Sequence, residues 1–313
     1  MPVIAVIATV DYLRVARFLL LFVDGVGLGP AGAVNPLSTV PMPALASVLG
    51  GALTIERVGA RAPELALGAL DAALGVPGLP QSATGQTALF TGVNAPALLG
   101  RHVAAFPGPR LAEVLAEHSL LARARRAGRA ATFANPYTPR YFEEVEAGRR
   151  RHSATTLAAL AAAREGAPLR GLAELVAGRA CTWDVRRDQF QRWAPEVEPV
   201  AAERAGRELA ALAGEHELTL WETFMTDLAG HGRWGWTAAE ALSRLDGLVA
   251  GLLAARPDDL TILLTSDHGN LEAAEHGSHT ANPVPLLAIG PAAPDFADLD
   301  RLDQVTPRLL ALL

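Results

Sequence analysis

The sequence has 313 residues and no lysine, so all 27 basic residues are arginines, against 33 acidic residues. Its one cysteine, Cys181, excludes an internal disulfide and a zinc site built from several cysteines. No uninterrupted apolar run reaches the ~18 residues that a membrane-spanning helix needs. The net charge of −6 argues against a protein that coats nucleic acid. We therefore expect a cytoplasmic protein without a nucleic-acid or membrane partner.

The first 16 residues are apolar but lack a basic start and a small-residue cleavage site, so they are not interpreted as a secretion signal. They are expected to be an extra surface segment or the product of an alternative start site. Half of all residues are apolar. At ~150 residues per domain, the length predicts one large domain or two smaller ones.

Three apolar runs predict strands that are buried on both faces, as in a parallel sheet covered by helices: 18–23, 218–224 and 260–265. Between the last two, Thr237 and Glu240 form a capping box that begins a helix of ~18 residues. Strand, helix and strand of these lengths make a βαβ unit. The predicted fold class is α/β, with a mainly parallel sheet sandwiched by helices.

The middle of the chain differs from the rest in charge. Residues 101–192 contain 16 arginines and nine acidic residues, a balance of +7 within a total of −6, so the remainder carries −13. Ser153 is expected to cap a helix in this stretch. We predict a catalytic core built from residues 1–102 and 201–313, with residues 103–200 as a small arginine-rich cap inserted between them.

Each of the three predicted strands ends in an aspartate, namely Asp24, Asp227 and Asp267. Ligands bind beyond the carboxyl ends of strands in such sheets, although a single aspartate there is more often a turn former. Three histidines lie beside these aspartates or on a nearby loop, namely His231, His268 and His279. Carboxylates with neutral imidazoles suit Zn²⁺ or Mn²⁺, and six such ligands fit two ions that share a substrate. The pattern predicts a site for two divalent ions.

A hydroxyl nucleophile is offered by the segment from Pro80 to Gly92, which contains Ser82, Thr84 and Thr87. At a helix N-terminus a hydroxyl lies among backbone N–H groups that can hold an anion. A metal ion can lower the pKa of such a hydroxyl, so no histidine base is required. The alternative is that the segment is only a capped helix start, and the residues alone leave both open.

These residues together resemble the alkaline phosphatase superfamily, and most closely its cofactor-independent phosphoglycerate mutase branch. The resemblance covers roughly residues 17–106 and 205–313. The blocks that carry it are Val23-Asp24-Gly25, Thr226-Asp227-Leu-Ala-Gly-His231, Ser266-Asp267-His268-Gly269-Asn270 and His279-Thr-Ala-Asn-Pro-Val-Pro285. It implies an alkaline-phosphatase-like core that acts on a small phosphorylated substrate.

The resemblance also implies the ligands of two metal ions. One ion is held by Asp24, Ser82, Asp267 and His268, and the other by Asp227, His231 and His279. The metal-bound Ser82 then attacks a phosphate ester and forms a phosphoserine. Phosphopentomutase, a sister family, has threonine at the equivalent position, so Thr84 is the reserve nucleophile.

The sequence departs from the mutases in three ways. Gly85-Gln86 replaces the Gly-His pair of the family, the insertion is much smaller than the mutase transferase domain, and the active-site lysine is absent. These departures favour phosphomonoester hydrolysis over the alternative, a phosphoglycerate- or phosphopentomutase-like activity. A third hypothesis is a metal-binding sensor that has lost catalysis.

Substrate contacts are predicted from the remaining histidines and arginines. The candidates are His102, Arg140, Arg149, Arg150 and Arg151. Arginine binds phosphate bidentately, whereas the alternatives are hinge packing for His102 and a solvated charge run for the three consecutive arginines.

Overall fold

The structure is a computed structural model that describes residues 16–147, 149 and 151–313, so the predicted N-terminal segment lies almost wholly outside the described residues. The strands are β1 (Arg17–Val23), β2 (Arg61–Ala62), β3 (Leu65–Leu70), β4 (Ala131–Phe133), β5 (Leu218–Thr223), β6 (Leu260–Thr265) and β7 (Val284–Ile289).

The helices flank this sheet and connect its strands. They are α1 (Pro36–Thr39), α2 (Pro43–Leu49), α3 (Ser82–Thr91), α4 (Ala95–Leu99), α5 (Pro109–His118), α6 (Leu120–Arg126), α7 (Pro139–Glu146), α8 (Ala154–Arg164), α9 (Leu172–Val176), α10 (Asp188–Gln191), α11 (Ala202–Gly214), α12 (Met225–Gly230), α13 (Ala238–Ala255) and α14 (Val305–Leu312). Short 3₁₀ helices cover Ile55–Arg57, Leu271–His276, Ala293–Phe296 and Leu302–Gln304. Among the described helices, none combines the length and apolar character needed to cross a membrane.

The strands form one mixed sheet in the order β2-β3-β7-β6-β1-β5-β4. The strands β6, β1, β5 and β4 are parallel, whereas β7, β3 and β2 join through antiparallel pairs. Leu20 of β1 lies opposite Leu220 of β5 and Leu263 of β6, so β1 is the centre of the parallel part. The predicted α/β class with a mainly parallel sheet is confirmed.

After Arg17 the central strand is apolar from Phe18 to Val23, because helices cover both faces of the sheet. Phe18 and Phe22 pack on one face with residues of α3, α5 and α8, and Leu19 and Leu21 pack on the other with residues of α11 and α13. Each of these side chains is at most 1% exposed. Burial of such a side chain contributes roughly 1.5–3 kcal/mol, so this strand anchors the sheet.

The predicted helix after Thr237 is α13, which is 18 residues long. The Thr237 hydroxyl accepts the backbone N–H of Glu240 at 3.2 Å, as a capping box requires. The Glu240 carboxylate accepts a hydrogen bond from Arg244 at 2.6 Å. The N-cap is therefore confirmed, while an ion pair within the helix replaces the reciprocal half of the box.

The region predicted as a cap is partly joined to the sheet. Its strand β4 pairs with β5, with Thr132 opposite Thr219, and α5, α6 and α8 pack on the same face as Phe18. The N-cap predicted at Ser153 is present at the start of α8, because the Ser153 hydroxyl accepts a hydrogen bond from the backbone N–H of Thr156 at 3.1 Å. A separate small apolar cluster includes Leu175 and Phe190. The assignment of residues 103–200 to a separate cap stays a prediction. In this segment, β4 and its flanking helices pack with the core.

Candidate metal centre

The ends of β1, β5 and β6 carry the predicted ligands to one edge of the sheet. Because β1 lies between the other two strands, their carboxyl ends converge there. Gly25 turns the chain away from β1 with a φ of +73°, and a Cβ at this residue would lie 2.8 Å from Asp227 Oδ1. Glycine therefore permits the close approach of the first and second strand ends.

The six predicted aspartate and histidine ligands form two compact groups. Their members are Asp24, Asp267 and His268 in the first, and Asp227, His231 and His279 in the second. In each group the candidate ligand atoms all lie within 4.8 Å of one another. The grouping is the one that the resemblance implies.

The first group surrounds one imidazole nitrogen. His268 Nε2 lies 3.3 Å from Asp24 Oδ1 and 3.5 Å from Asp267 Oδ2. The same nitrogen is 3.1 Å from Ser82 Oγ. Both Asp267 and His268 are fully buried. Four atoms of the types that hold divalent ions therefore converge at the end of β1.

The second group surrounds Asp227 Oδ1, which lies 3.4 Å from His231 Nε2 and 3.8 Å from His279 Nε2. The other ring nitrogen of each histidine faces a backbone carbonyl at 2.9 Å, that of Gly277 for His231 and that of Pro80 for His279. Each carbonyl oxygen accepts a hydrogen bond from the Nδ1–H of the neutral ring. In this tautomer the lone pair is on Nε2, which faces Asp227. Both rings are oriented as metal-ligating imidazoles are.

The two groups adjoin each other. The rings of His268 and His279 stack with centroids 3.6 Å apart, and His231 lies 5.3 Å from His279. One phosphate could therefore contact ions in both groups, as in enzymes in which two ions share a substrate.

In the metal-free protein, burial and mutual repulsion disfavour the ionised forms of Asp24 and Asp267. Burial raises the pKa of Asp24 well above its ordinary value, and the charges of Asp267 and Asp227 raise it further. Burial also raises the pKa of Asp267. For His268, burial opposes the charged form, but Asp267 and Asp24 outweigh it and raise the pKa to about 10. The protonated imidazole is the local counter-charge for the carboxylates.

The pKa of the neighbouring imidazole, His279, shifts in the opposite direction. Burial lowers the pKa of His279 to about 4, and the positive charge of His268 contributes to this shift. His279 is therefore neutral at pH 7, which is the form that binds metal ions.

The residues fit a divalent cation. Within the described part of the chain, the buried Asp267 Oδ1 accepts no hydrogen bond. Buried charges are normally paired or coordinate metals, because an unpaired ionised group costs several kcal/mol. Carboxylates and imidazoles are together the donors that Zn²⁺ and Mn²⁺ take. The centre is suited to divalent ions.

Gln86 has a role in this centre that the sequence did not predict. Its amide Nε2 donates to Asp24 Oδ2 at 3.2 Å and to Asp267 Oδ2 at 3.1 Å, so it bridges the two carboxylates. The preceding Gly85 is required for this approach, because a Cβ there would lie 2.7 Å from the Asp267 carbonyl oxygen. In the sequence, the replacement of the family's Gly-His pair by Gly85-Gln86 was the feature that could have drawn attention to Gln86.

Asn270 and Glu272 are further supports that were not predicted as site residues. Asn270 Nδ2 donates to Asp227 Oδ1 at 2.7 Å. The buried Glu272 carboxylate accepts the backbone N–H of Gly27 at 2.8 Å and that of Asn270 at 2.9 Å. It also accepts the Thr280 hydroxyl. Glu272 therefore joins the loops that carry both groups, and Asn270 was visible as part of a quoted sequence block.

The two candidate nucleophiles lie in different surroundings. Ser82 is the first residue of α3, and its hydroxyl faces the first group. Thr84 is fully buried, and its hydroxyl donates to the Gln81 carbonyl at 3.1 Å and accepts the N–H of Val103 at 3.2 Å. Thr84 is thus engaged with the backbone, whereas Ser82 faces the ligands.

The predicted substrate contacts are dispersed. His102 Nε2 lies 3.1 Å from the carbonyl of Val76 and joins neither group. Arg140 and Arg151 line a cavity of about 810 Å³, whereas Arg149 is exposed and is not part of its lining. Arg150 lies outside the described residues.

This cavity adjoins the metal centre through Glu222 and Phe224, which line it at the end of β5. Burial raises the pKa of Glu222 to about 7, and the charge of Asp267 contributes to the rise. The carboxyl group is thus close enough to the first ligand group to sense its charge.

Sequence comparisons agree with this geometry. Residues 196–313 match a family model described as Metalloenzyme superfamily. The 2,3-bisphosphoglycerate-independent phosphoglycerate mutase of Serratia proteamaculans is 33% identical over 127 residues, which are 38% of this chain and 24% of that protein. The enzyme of the same name from Rhodopseudomonas palustris is 32% identical over 127 residues, 38% of this chain and 25% of that protein. The chain thus matches only about a quarter of the length of these relatives.

Solved structures share the fold across nearly the whole chain. The PH0037 protein of Pyrococcus horikoshii has a TM-score of 0.56 at 14% identity, covering 95% of this chain and 96% of that one. A cold-active alkaline phosphatase of Shewanella sp. has a TM-score of 0.52 at 13% identity, covering 95% and 99%. The family match over residues 196–313, the named relatives and the shared fold confirm the resemblance to the alkaline phosphatase superfamily.

Proposed function

We propose that the chain is a two-metal phosphoryl-transfer enzyme that hydrolyses a small phosphate monoester through Ser82. The observation that carries this proposal is the position of the Ser82 hydroxyl, 3.1 Å from His268 Nε2 at the start of α3. The other candidate hydroxyl, that of Thr84, bonds to the backbone instead of facing a ligand group.

The metal ligands are proposed as the sequence resemblance grouped them. Asp24, Ser82, Asp267 and His268 would hold one ion, and Asp227, His231 and His279 the other, with Mn²⁺ or Zn²⁺ in each place. When bound, two divalent ions supply positive charge that lowers the pKa of a hydroxyl and stabilises a phosphoryl group in transfer.

The residues of the chain have separate tasks in the reaction. The start of α3 places the Ser82 hydroxyl beside the first ligand group, and the first turn of α3 presents backbone N–H groups toward a bound phosphate. The Ser82 oxygen forms a bond to phosphorus as the ester oxygen departs with its electron pair and takes up a proton. A water molecule then attacks the phosphoserine, which releases phosphate and restores the serine hydroxyl.

Hydrolysis is proposed over mutase transfer because the chain lacks a lysine and because its insertion is small. The named relatives support the alternative, a phosphomutase, since both carry that activity in their names. The two are separated by the fate of the phosphoryl group. A hydrolase releases inorganic phosphate, whereas a mutase returns the group to a different oxygen of the product.

The test uses the purified protein loaded with Mn²⁺ or Zn²⁺ and a panel of phosphate monoesters, with released phosphate and positional isomers both measured. Ser82→Ala is expected to lower turnover roughly 10³-fold or more, while the carboxylate and imidazole ligands that remain in each group keep both ions bound. The matched control is Ser47→Ala, because Ser47 is exposed on α2. A loaded wild-type protein that binds both ions but neither releases nor moves phosphate would contradict the proposal and favour a metal-binding sensor.

A further inference from the structure

The cavity beside the metal centre contains an unusual set of side chains. It measures about 810 Å³ and is bordered by Phe224, which lies three residues before Asp227, and by Trp234, which lies three residues after His231. Its walls are thus continuous in sequence with two metal-ligand candidates. Glu222 and Phe224 place one side of the cavity at the end of β5, the strand that leads to Asp227.

Exposed aromatic side chains are concentrated at this cavity. Among the large hydrophobic residues that are exposed in the described chain, three are aromatic, namely Phe106 (38%), Trp193 (56%) and Trp234 (75%). All three line the cavity. A cluster of exposed apolar side chains marks a binding site more often than a chance arrangement.

Trp234 is also held in a strained backbone conformation. Its φ is +55°, in the left-handed region that bulky residues rarely adopt. The glycines on the same loop, Gly232 and Gly235, have positive φ as well, and they tolerate it without strain. Strain at a non-glycine residue is characteristic of functional sites, and here it holds an exposed indole at the rim of the cavity.

The lining of the cavity also contains two pairs of stacked aromatic rings. The rings of Trp183 and Phe224 stack with centroids 4.1 Å apart and an interplanar angle of 21°. The rings of Tyr137 and Tyr141 stack at 4.3 Å and 27°. These pairs make much of the cavity lining aromatic, and aromatic rings pack favourably with other rings in stacked or edge-to-face geometry.

Three arginines accompany the aromatic groups, one of which, Arg140, is paired with Glu144 of the same lining at 2.9 Å. The Arg140 guanidinium lies 4.8 Å from the ring centre of Trp193, and that of Arg151 lies 4.8 Å from the ring centre of Phe106. Arg192 lines the same cavity. A guanidinium over an aromatic ring can accept an anionic group while the ring packs against an apolar one.

Resting on the phosphoryl transfer proposed above, we infer that the cavity binds a planar aromatic or heteroaromatic group of the substrate, which makes the enzyme selective for aryl or nucleoside phosphates over small aliphatic phosphates. The exposed tryptophans contact the ring, and the arginines attract the anionic substrate. A small polyol or glycerate phosphate would leave these aromatic faces unfilled.

The kinetic test compares phenyl phosphate, adenosine 5′-monophosphate and glycerol 3-phosphate on the metal-loaded enzyme. The wild type is expected to prefer at least one aromatic probe, and the better of the two identifies the aryl or the nucleoside class. Trp234→Ala should lower the ratio of kcat/KM for that probe to kcat/KM for glycerol 3-phosphate about tenfold, since ring stacking on a protein aromatic residue is of this size.

The matched control is Val176→Ala. Val176 is exposed on α9 but does not line the cavity, so the ratio is expected to stay at its wild-type value. A second variant, Trp234→Gly, separates binding from folding. Glycine adopts a positive φ without strain, so its Tm should not fall below that of Trp234→Ala, while the ratio drops equally.

A binding measurement keeps this inference distinct from the proposed chemistry. The Ser82→Ala protein is titrated with each probe, and quenching of tryptophan fluorescence is followed without turnover. Saturable quenching by an aromatic probe, weakened about tenfold in a Ser82→Ala/Trp234→Ala protein, supports the cavity assignment even if no probe is hydrolysed. Equal quenching and equal kcat/KM for aromatic and aliphatic probes, or no change on replacing Trp234, would overturn it.

Discussion

The metal centre and the neighbouring cavity differ in almost every physical property. The first ligand group is buried and the second is half-buried, and both consist of carboxylates and imidazoles held by hydrogen bonds to residues such as Gln86 and Asn270. The cavity is lined by aromatic rings and guanidinium groups, with Trp234 largely exposed. The proposed function and the inferred aromatic specificity assign different roles to the two regions: the metal centre reacts with any phosphate ester, and the cavity selects the substrate.

The two regions also come from different parts of the chain. The ligands follow β1, β5 and β6, which belong to the two predicted core segments. Most of the cavity wall comes from residues 103–200, the predicted insertion. Changes in the insertion could therefore alter the preference for a substrate without disturbing the reacting groups.

Among the variants that compare the two regions, the largest effect is expected from replacing Asp227, the carboxylate that both His231 and His279 approach. Asp227→Ala should remove one of the two bound ions and lower turnover more than about a hundredfold for every phosphate ester alike. Metal analysis and kcat measurements check this. Asp298→Ala, at an exposed aspartate outside both groups, is the control. Retention of both ions, or a loss of turnover confined to one class of substrate, would contradict the separate roles of the metal centre and the cavity.

A smaller effect is expected from Gln86→Leu, which removes both donors between Asp24 and Asp267. In the metal-free protein, the loss of hydrogen bonds to buried charged groups should lower the free energy of unfolding by about 2–3 kcal/mol. With Mn²⁺ or Zn²⁺ present the difference should shrink, because the ion neutralises the same carboxylates. Thermal unfolding with and without metal measures it, and an equal loss in both conditions would contradict the bridging role of Gln86.

The smallest effect concerns Glu222, which lies between the two regions. Its folded pKa of about 7 exceeds the ordinary value of 4.5, so the folded state retains a proton that the unfolded state releases. Stability from this group is complete below pH 4.5 and is lost as the pH rises to 7. Glu222→Gln should therefore raise the Tm of the metal-free protein at pH 8 by about 4 °C and leave it unchanged at pH 4.

The control for this experiment is Glu113→Gln, since Glu113 is exposed and forms only an ion pair within α5. Its Tm is expected to follow the wild type at both pH values. A Tm of Glu222→Gln below that of the wild type at pH 8 would show that the charged form of Glu222 stabilises the fold, which is the opposite of the expected effect.

Strong local patterns mark the strands that the sequence predicted correctly and the candidate ligands that the structure brings together. The run 260–265 is β6 without any shift of its ends, because a strand buried on both faces is mostly apolar and its two threonines also suit a buried strand. The N-cap at Thr237 was recognisable from two side chains at fixed spacing. The six aspartate and histidine ligands were found because each follows a strand or lies in a short specific block.

Other features depend on contacts that no local pattern encodes. The strand β4 has only three residues, too few to show alternation, and its place at the sheet edge depends on β5. The bridging role of Gln86 requires two aspartates that are 62 and 181 residues distant in sequence. The aromatic cavity gathers side chains from Phe106 to Trp234, and tertiary packing alone brings them together.

The most direct test of the proposed reaction is a search for the phosphoserine. The metal-loaded protein is mixed with a phosphate ester, quenched in acid within its first turnovers, digested and analysed by mass spectrometry. One phosphoryl group is expected on the peptide that contains Ser82, absent from Ser82→Ala and absent when the metal is removed. Turnover of the ester that persists at the wild-type rate in Ser82→Ala, or a phosphoryl group on another residue, would contradict the role of Ser82 as the nucleophile.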